Sequence, residues 1–181
     1  DWQSFANLRL LYSWMFLHPG AKLLFMGAEF GQRAEWRFNG TLNWEEARYE
    51  SHAGIFKTIQ ALNKLYQNEA ALHALNYQQE GFEWIELNDA NNSVLSFIRK
   101  SEKEELVCLL NFTPKPHENY RIGVNSSGTY QEVFNSDAKL FWGSGKHNSS
   151  AVKTNKQDSH GRKQSLSCTV PPLGAVVFKK K

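Results

Sequence analysis

The spacing of hydrophobic residues predicts two amphipathic helices in the first third of the chain. In the first helix, placed at residues 2–16, apolar positions recur at steps of three and four: Phe5, Leu8, Tyr12 and Met15. The segment His18-Pro19-Gly20 ends this helix, because proline has no amide donor and glycine takes the backbone angles of a helix C-terminus. The second helix is expected at residues 51–67, with the same spacing at Ile55, Ile59, Leu62 and Tyr66.

Between the two helices lies a short apolar run, Leu23 to Met26, which is typical of a strand buried on both faces in a parallel sheet. Residues 27–44 follow it without periodicity and are rich in Gly, Asn, Arg and aromatic residues, which indicates a long loop. A helix–strand–helix unit is too small to cover a parallel strand on both sides. Residues 1–72 are therefore interpreted as the terminal segment of an incomplete (β/α)₈ barrel.

Beyond residue 72 the hydrophobic pattern changes to the period of two that is typical of strands. Alternating or continuous apolar positions predict strands near these residues: 82–84, 93–100, 105–112, 120–124, 166–170 and 175–178. Seven or so short strands favour an antiparallel β-sandwich, so residues 73–181 are predicted to form a C-terminal all-β domain. The fold class is thus mainly β with an α/β portion.

Two further expectations concern the second half of the chain. Residues 143–163 are rich in Ser, Asn, Lys and Gly, which predicts a long polar loop within the sandwich. The sandwich is expected to fold alone. A cut near Leu75 is therefore expected to improve solubility, because the run from Leu23 to Met26 without its barrel forms an exposed apolar edge.

Composition narrows the class of function. Of the 181 residues, 41% are hydrophobic and 13% aromatic, which indicates a folded globular protein. The net charge of +3 is too small and too scattered to predict nucleic-acid binding. No signal peptide or membrane-spanning run is evident, so a cytoplasmic protein without a membrane partner is expected. Cys108 and Cys168 are expected to be reduced core residues, and the His and Cys spacing indicates neither a metal nor an organic cofactor.

Short segments along nearly the whole chain match one known family in the same order. In the first part they are Phe5–Leu11, His18–Gly20, Lys22–Gly27, Glu29–Gln32 and Glu35–Trp36. In the second part they are Leu62–Tyr66, Glu69–His73, Gly81–Ile85, Asn92–Phe97, Asn111–Pro114 and Pro171–Leu173. These segments resemble the C-terminal part of bacterial glycogen (1,4-α-glucan) branching enzymes, which are members of the α-amylase superfamily. Residues 139–163 depart most from that pattern.

The resemblance implies a retaining reaction in glycogen synthesis. An α-1,4-glucan chain is cleaved, held on the enzyme and transferred to a 6-hydroxyl, which creates an α-1,6 branch. The resemblance also implies that the Asp nucleophile, the Glu acid/base and a third Asp lie on barrel strands before this chain. We therefore expect no catalytic residue here and no activity from this chain alone. The implied partners are the N-terminal part of the barrel and α-glucans such as glycogen and amylose-type chains.

Four loop residues are predicted to contact the glucan: Glu29, Gln32, Trp36 and Arg37. The first two follow the predicted strand at its carboxyl end, where barrel enzymes build their active-site face. An indole ring can stack on a pyranose, and a guanidinium can donate hydrogen bonds to hydroxyl groups. Structural alternatives remain for three of these residues: Glu29 caps local backbone, Trp36 packs, and Arg37 is only solvated.

Two other functions stay open at this level. The β-domain could be an autonomous carbohydrate-binding module, which an exposed aromatic row on one sheet would favour. Trp84 and Trp142 invite that interpretation, although Trp84 alternates with apolar neighbours and is predicted to lie in the core. The parent could also be a related hydrolase of the same superfamily. The segments Gly81–Ile85 and Asn92–Phe97 argue against a hydrolase through family resemblance only.

Overall fold

The computed structural model describes residues 1–181 and contains two α-helices followed by eight β-strands. Helix α1 spans Trp2–Leu17 and helix α2 spans Glu50–Asn68, each within one residue of the predicted bounds. The strands are β1 Phe82–Asp89, β2 Val94–Lys100, β3 Glu105–Asn111, β4 His117–Val124, β5 Thr129–Asn135, β6 Val152–Lys153, β7 Gln164–Val170 and β8 Gly174–Lys180. Neither helix combines the length and the apolar character that a membrane span requires.

The strands form two antiparallel sheets that pack face to face. The larger sheet has six strands in the order β1-β2-β3-β8-β5-β6, and the smaller one pairs β4 with β7. Apolar side chains of both sheets meet in one core: Ile98, Val107, Ile122, Leu166 and Phe178 are among them. The predicted antiparallel β-sandwich is therefore confirmed.

The two helices cover the other face of the six-stranded sheet. Phe16 of α1 and Leu62 of α2 belong to the same buried cluster as Phe97, Cys108 and Val177 of the sheet. The molecule thus has three layers: the helices, the large sheet and the small sheet. From this arrangement we expect that the sandwich does not fold alone, because its large sheet is apolar on both faces and needs a cover on each.

A buried arginine joins α1 to the end of β5. Arg9 is almost fully buried, and its Nε donates a hydrogen bond of 2.9 Å to the carbonyl oxygen of Ser136. Burial lowers the pKa of Arg9 to about 10, although the nearby Asp137 carboxylate opposes that shift. The Nε–Ser136 bond ties α1 to the sheet by a polar as well as an apolar contact, while Nη1 of the same guanidinium is buried without a hydrogen-bond partner.

The strand expected at Leu23–Met26 is not present. Residues 21–25 are irregular, and the side chains of Leu23 and Phe25 are 76% and 60% exposed. A strand persists only when its backbone groups pair with a neighbour, and no other strand lies beside this segment. The α/β portion of the fold therefore consists here of two helices and their connecting loop.

Two strands were missed by the sequence pattern. In β5 the register shifts between Glu132 and Phe134, which interrupts the alternation of apolar and polar side chains. The two-residue strand β6 lies inside the predicted polar loop and pairs with the start of β5. Short or bulged strands carry too few alternating positions to be recognised without their partners.

Both cysteines are free and buried, as expected for core residues. Burial raises the pKa of the Cys108 thiol and of the Cys168 thiol to about 12. Neither thiol is therefore suited to nucleophilic chemistry at neutral pH. No group of three or more His, Cys, Asp and Glu side chains in residues 1–181 is arranged to hold a metal ion.

Candidate functional site

The loop between α1 and α2 carries the four predicted glucan contacts and is anchored to both helices. The Tyr12 hydroxyl of α1 donates a hydrogen bond of 2.6 Å to the carbonyl oxygen of Ala28. A ring nitrogen of His52 on α2 lies 2.9 Å from the carbonyl oxygen of Phe30, whose own side chain is fully buried. Burial, with a smaller contribution from the Glu29 carboxylate, raises the pKa of Tyr12. The hydroxyl therefore stays protonated and keeps donating.

Glu29 lies in the short 3₁₀ turn Ala28–Phe30 and acts on its own loop. One carboxylate oxygen accepts a hydrogen bond of 3.1 Å from the backbone N–H of Gly27. Gly27 has a φ of 88°, in the left-handed region that favours glycine. The carboxylate thus stabilises the tight turn that starts the loop, which corresponds to the structural alternative for this residue.

Gln32 connects the two sides of the loop through both ends of its amide. Its Nε2 donates to the carbonyl oxygen of Ala34 at 2.9 Å. Its Oε1 accepts from the backbone N–H of Asn43 at 2.8 Å. Each end of the amide thus makes one hydrogen bond to the loop backbone, and together these bonds fix the shape of the loop.

Three of the four predicted residues come together at one cavity. Gln32, Trp36 and Arg37 line a cavity of about 460 Å³, and Glu35 and Asn43 lie beside them. The lining combines an aromatic ring with amide, guanidinium and carboxylate groups, a set that suits a ligand with apolar ring faces and many hydroxyls. Glu29 is not part of this lining.

Trp36 is held at the cavity while keeping much of its ring accessible. The ring is 41% exposed and meets Phe25 edge to face, with centroids 5.3 Å apart. Phe25 belongs to a set of exposed apolar side chains, here called the loop apolar surface: Leu23, Phe25, Met26, Trp36 and Phe38. Large exposed apolar patches are typical of interaction sites.

Trp44 and Trp142 each contact a neighbouring aromatic ring. Trp44 is tilted against the buried Phe30, with ring centroids 5.1 Å apart. Trp142 is half-buried and meets Phe5 of α1 edge to face at 5.5 Å. Trp142 is thus held in a packing contact, whereas Trp44 keeps 55% of its surface exposed but does not line the loop cavity.

Trp84 was predicted to lie in the core, and the structure corrects this. Its side chain is 38% exposed and packs against Phe82 and Phe97, with centroids 4.9 Å and 5.8 Å away. His18, at the end of α1, lies 6.5 Å from the Trp84 ring. The strand carrying Trp84 is the edge of its sheet, and the helices do not cover it completely. Alternation in a sequence cannot reveal how far a neighbouring layer extends.

A partly buried lysine lies next to the end of α1. Lys22 donates a hydrogen bond of 2.6 Å to the carbonyl oxygen of His18 and lies over the Tyr66 ring. Burial, assisted by the charge of Arg99, lowers the pKa of Lys22 to about 8. Burial also lowers the pKa of His18. Burial thus destabilises the charged form of both side chains.

Comparisons with known proteins agree over the full length of the chain. Residues 84–181 match the family described as the alpha amylase C-terminal all-beta domain. The 1,4-alpha-glucan branching enzyme GlgB of Aquifex aeolicus is 48% identical over 180 residues, which cover 98% of this chain and 29% of that protein. The GlgB of Cellvibrio japonicus is 45% identical over 179 residues, covering 99% of this chain and 24% of that protein. These relatives confirm the predicted resemblance, and the chain spans about a quarter of their length.

A solved structure shares the architecture at low sequence identity. The debranching enzyme of Nostoc punctiforme superposes with a TM-score of 0.63 and 17% identity over 96% of this chain and 30% of that one. At this identity the likeness shows the fold alone. The helices, the loop and the sandwich thus recur together as one arrangement in a larger protein.

Proposed function

This chain belongs to the alpha-amylase C-terminal all-beta domain family, and from that premise we propose that it is the C-terminal part of a bacterial 1,4-α-glucan branching enzyme. The whole protein would transfer an α-1,4-glucan chain to a 6-hydroxyl in the cytoplasm during glycogen synthesis. The observation that carries the proposal is identity of 45–48% with such enzymes, continuous through 98–99% of this chain. That identity includes the helices and the loop outside the matched family segment. We place the domain boundary between residues 72 and 73.

In this proposal four side chains of the loop apolar surface, Leu23, Phe25, Met26 and Phe38, pack against the remaining, N-terminal part of the barrel, and the Trp36 ring stays accessible to the glucan. These four side chains are large, apolar and accessible to solvent in this chain. Burying such side chains contributes about 1.5–3 kcal/mol each. The run Leu23–Met26, irregular here, would then find neighbouring strands and form the predicted barrel strand.

The same loop would contact the glucan at the cavity lined by Gln32, Trp36 and Arg37. The Trp36 ring would stack on a pyranose face, and the Arg37 guanidinium would donate to hydroxyl groups. The amide of Gln32 would keep the loop in the shape that forms the cavity, through its hydrogen bonds to Ala34 and Asn43. Glu29 would contribute indirectly, by fixing the Gly27 turn.

A second candidate function is glucan binding by the β-domain itself. The half-exposed Trp84, with Phe82 and His18 beside it, forms an aromatic surface on the edge strand. A sugar could stack on it without any part of the barrel. Because Trp84 lies on a different element from Trp36, the two sites can be tested independently.

Titration of this chain with maltoheptaose, followed by backbone amide NMR shifts, separates the two sites. We expect saturable shifts in residues 32–43 that Trp36→Ala abolishes. Phe38→Ala is the matched control, because it removes a more exposed aromatic ring of the same loop that does not line the cavity. Shifts that disappear in Trp84→Ala but persist in Trp36→Ala would move the site to the β-domain. Unchanged shifts at saturating sugar would contradict both sites.

A further inference from the structure

The exposed tip of the loop contains a chemically distinctive pair of residues. Asn39 is the only asparagine in the sequence that is followed by glycine. Both Asn39 and Gly40 are exposed, in a turn closed by a hydrogen bond of 3.2 Å from the Gly40 N–H to the Arg37 carbonyl oxygen. This bond is at the long limit for its type, and both residues of the turn are exposed to water.

The side-chain amide of Asn39 has no hydrogen-bond partner within the protein, in contrast to those of Asn125 and Asn148. The Asn125 amide donates to Glu105 and accepts from Arg162. The Asn148 amide donates to Glu132 at 2.7 Å. Those side chains are held in one orientation, whereas the Asn39 carboxamide can rotate toward its own backbone.

The backbone nitrogen of Gly40 is also sterically accessible. A Cβ placed on Gly40 would meet nothing closer than the Arg37 Cβ at 3.7 Å. Because Gly40 has no Cβ, its backbone nitrogen can approach the Asn39 side chain without obstruction. An accessible nucleophile and a free carboxamide are thus adjacent in the chain.

We propose that Asn39 is a site of spontaneous deamidation. The Gly40 backbone nitrogen loses its proton and attacks Cγ of Asn39, forming a new C–N bond. The bond between Cγ and the side-chain nitrogen then breaks, and that nitrogen takes up one proton, equal to the one lost by Gly40, and leaves as ammonia; a cyclic succinimide remains. Water adds to either ring carbonyl and opens the ring to aspartate or isoaspartate. No oxidant or reductant takes part, and asparagine is known as a thermolabile residue.

Deamidation changes the charge of the loop at the candidate cavity. The net charge of the chain falls by one from +3, and the new carboxylate lies two residues from Arg37 and three from Trp36. In the isoaspartate product the main chain also gains one methylene, which alters the turn. The reaction itself does not depend on the proposed function, because it uses only the turn and water.

The proposal is tested by ageing the intact chain in neutral and mildly alkaline buffers. Peptide mapping by mass spectrometry follows the mass increase from NH₂ to OH at each asparagine, and isoaspartate labelling identifies the product. We expect modification first at Asn39, faster at higher pH, with Asn125 and Asn148 unmodified as internal references. Gly40→Ala, which the open space accommodates, should slow the reaction severalfold. Equal rates at Asn39 and Asn148, or an unchanged rate in Gly40→Ala, would overturn the proposal.

Discussion

The guanidinium of Arg99 donates a hydrogen bond of 2.6 Å to the carbonyl oxygen of Leu17, so a residue of β2 caps the last turn of α1. The last carbonyls of a helix lack partners within the helix, and a cation near them is favoured by the helix dipole. The same guanidinium donates to the carbonyl oxygen of Leu72 at 2.9 Å and to the Asn76 side chain at 3.1 Å. One buried side chain therefore joins the sheet to α1 and to the segment after α2.

Arg99→Met should destabilise the chain strongly. The substitution keeps an apolar stem but leaves the carbonyl oxygens of Leu17 and Leu72 buried without donors. Together these losses are expected to cost about 3–5 kcal/mol in the free energy of unfolding. Urea unfolding followed by far-UV circular dichroism measures the change in the free energy of unfolding. The matched control is Arg48→Met, because Arg48 is exposed. A cost below about 1 kcal/mol, as for a surface pair, would contradict the capping role.

Removing the helices should make the remaining chain aggregate. A chain of residues 75–181 exposes the sheet side chains that α1 and α2 cover, including Phe97, Leu110 and Val177. This reverses the expectation that a cut near Leu75 improves solubility, because the exposed face of the sheet outweighs the loss of the Leu23–Met26 segment. Size-exclusion chromatography and dye binding to apolar surface measure the outcome. A monomeric fragment that unfolds cooperatively would show that the sandwich is independent after all.

The buried Cys108 thiol should make stability fall in alkali. Burial raises its pKa to about 12 from an ordinary value of 9.0. The folded state thus keeps a thiol proton that the unfolded state loses above pH 9. The contribution of this thiol to the free energy of unfolding is therefore complete below pH 9 and is lost as pH rises toward 12. The expected slope from this one group is about 1.4 kcal/mol per pH unit in the intervening range.

Cys108→Ala isolates that slope from the other titrating groups. The variant should be less stable at neutral pH because a side chain is deleted from the core, yet its stability should fall less steeply above pH 9. Cys168 is present in both proteins, so its contribution to the pH dependence cancels in the comparison. Unfolding curves at a series of pH values provide the measurement. Parallel pH dependences for the two proteins would show that the Cys108 thiol does not remain protonated in the fold.

The sequence was most informative where local pattern and structure coincide. The amphipathic spacing around Tyr12 and Ile59 predicted both helices, because the buried stripe of a helix repeats within a few residues. Alternation around Ile122 and Leu166 predicted the two strands of the small sheet for the same reason. In these elements each residue's environment follows from its position in a regular repeat.

The sequence was least informative where the outcome depends on a partner far along the chain. The Leu23–Met26 run has the composition of a buried strand but has no neighbour to pair with here. Trp84 alternates with apolar residues like a core position, and its exposure depends on where α1 ends. The amide of Gln32 is engaged by Asn43, which lies across the loop. Such long-range contacts leave no periodic signal, so only the structure could resolve them.

The central claim, that this chain is the C-terminal part of a branching enzyme, is tested most directly by a chimera. The N-terminal part of the Aquifex aeolicus relative would be joined to this chain in place of its own C-terminal segment, which corresponds to 29% of its length. The measurement is formation of α-1,6 branches in amylose, with circular dichroism and size-exclusion chromatography to show that the chimera is folded. We predict that the folded chimera forms branches, and that the N-terminal part alone does not. A folded chimera that forms no α-1,6 bonds, or only hydrolyses amylose, would contradict the assignment.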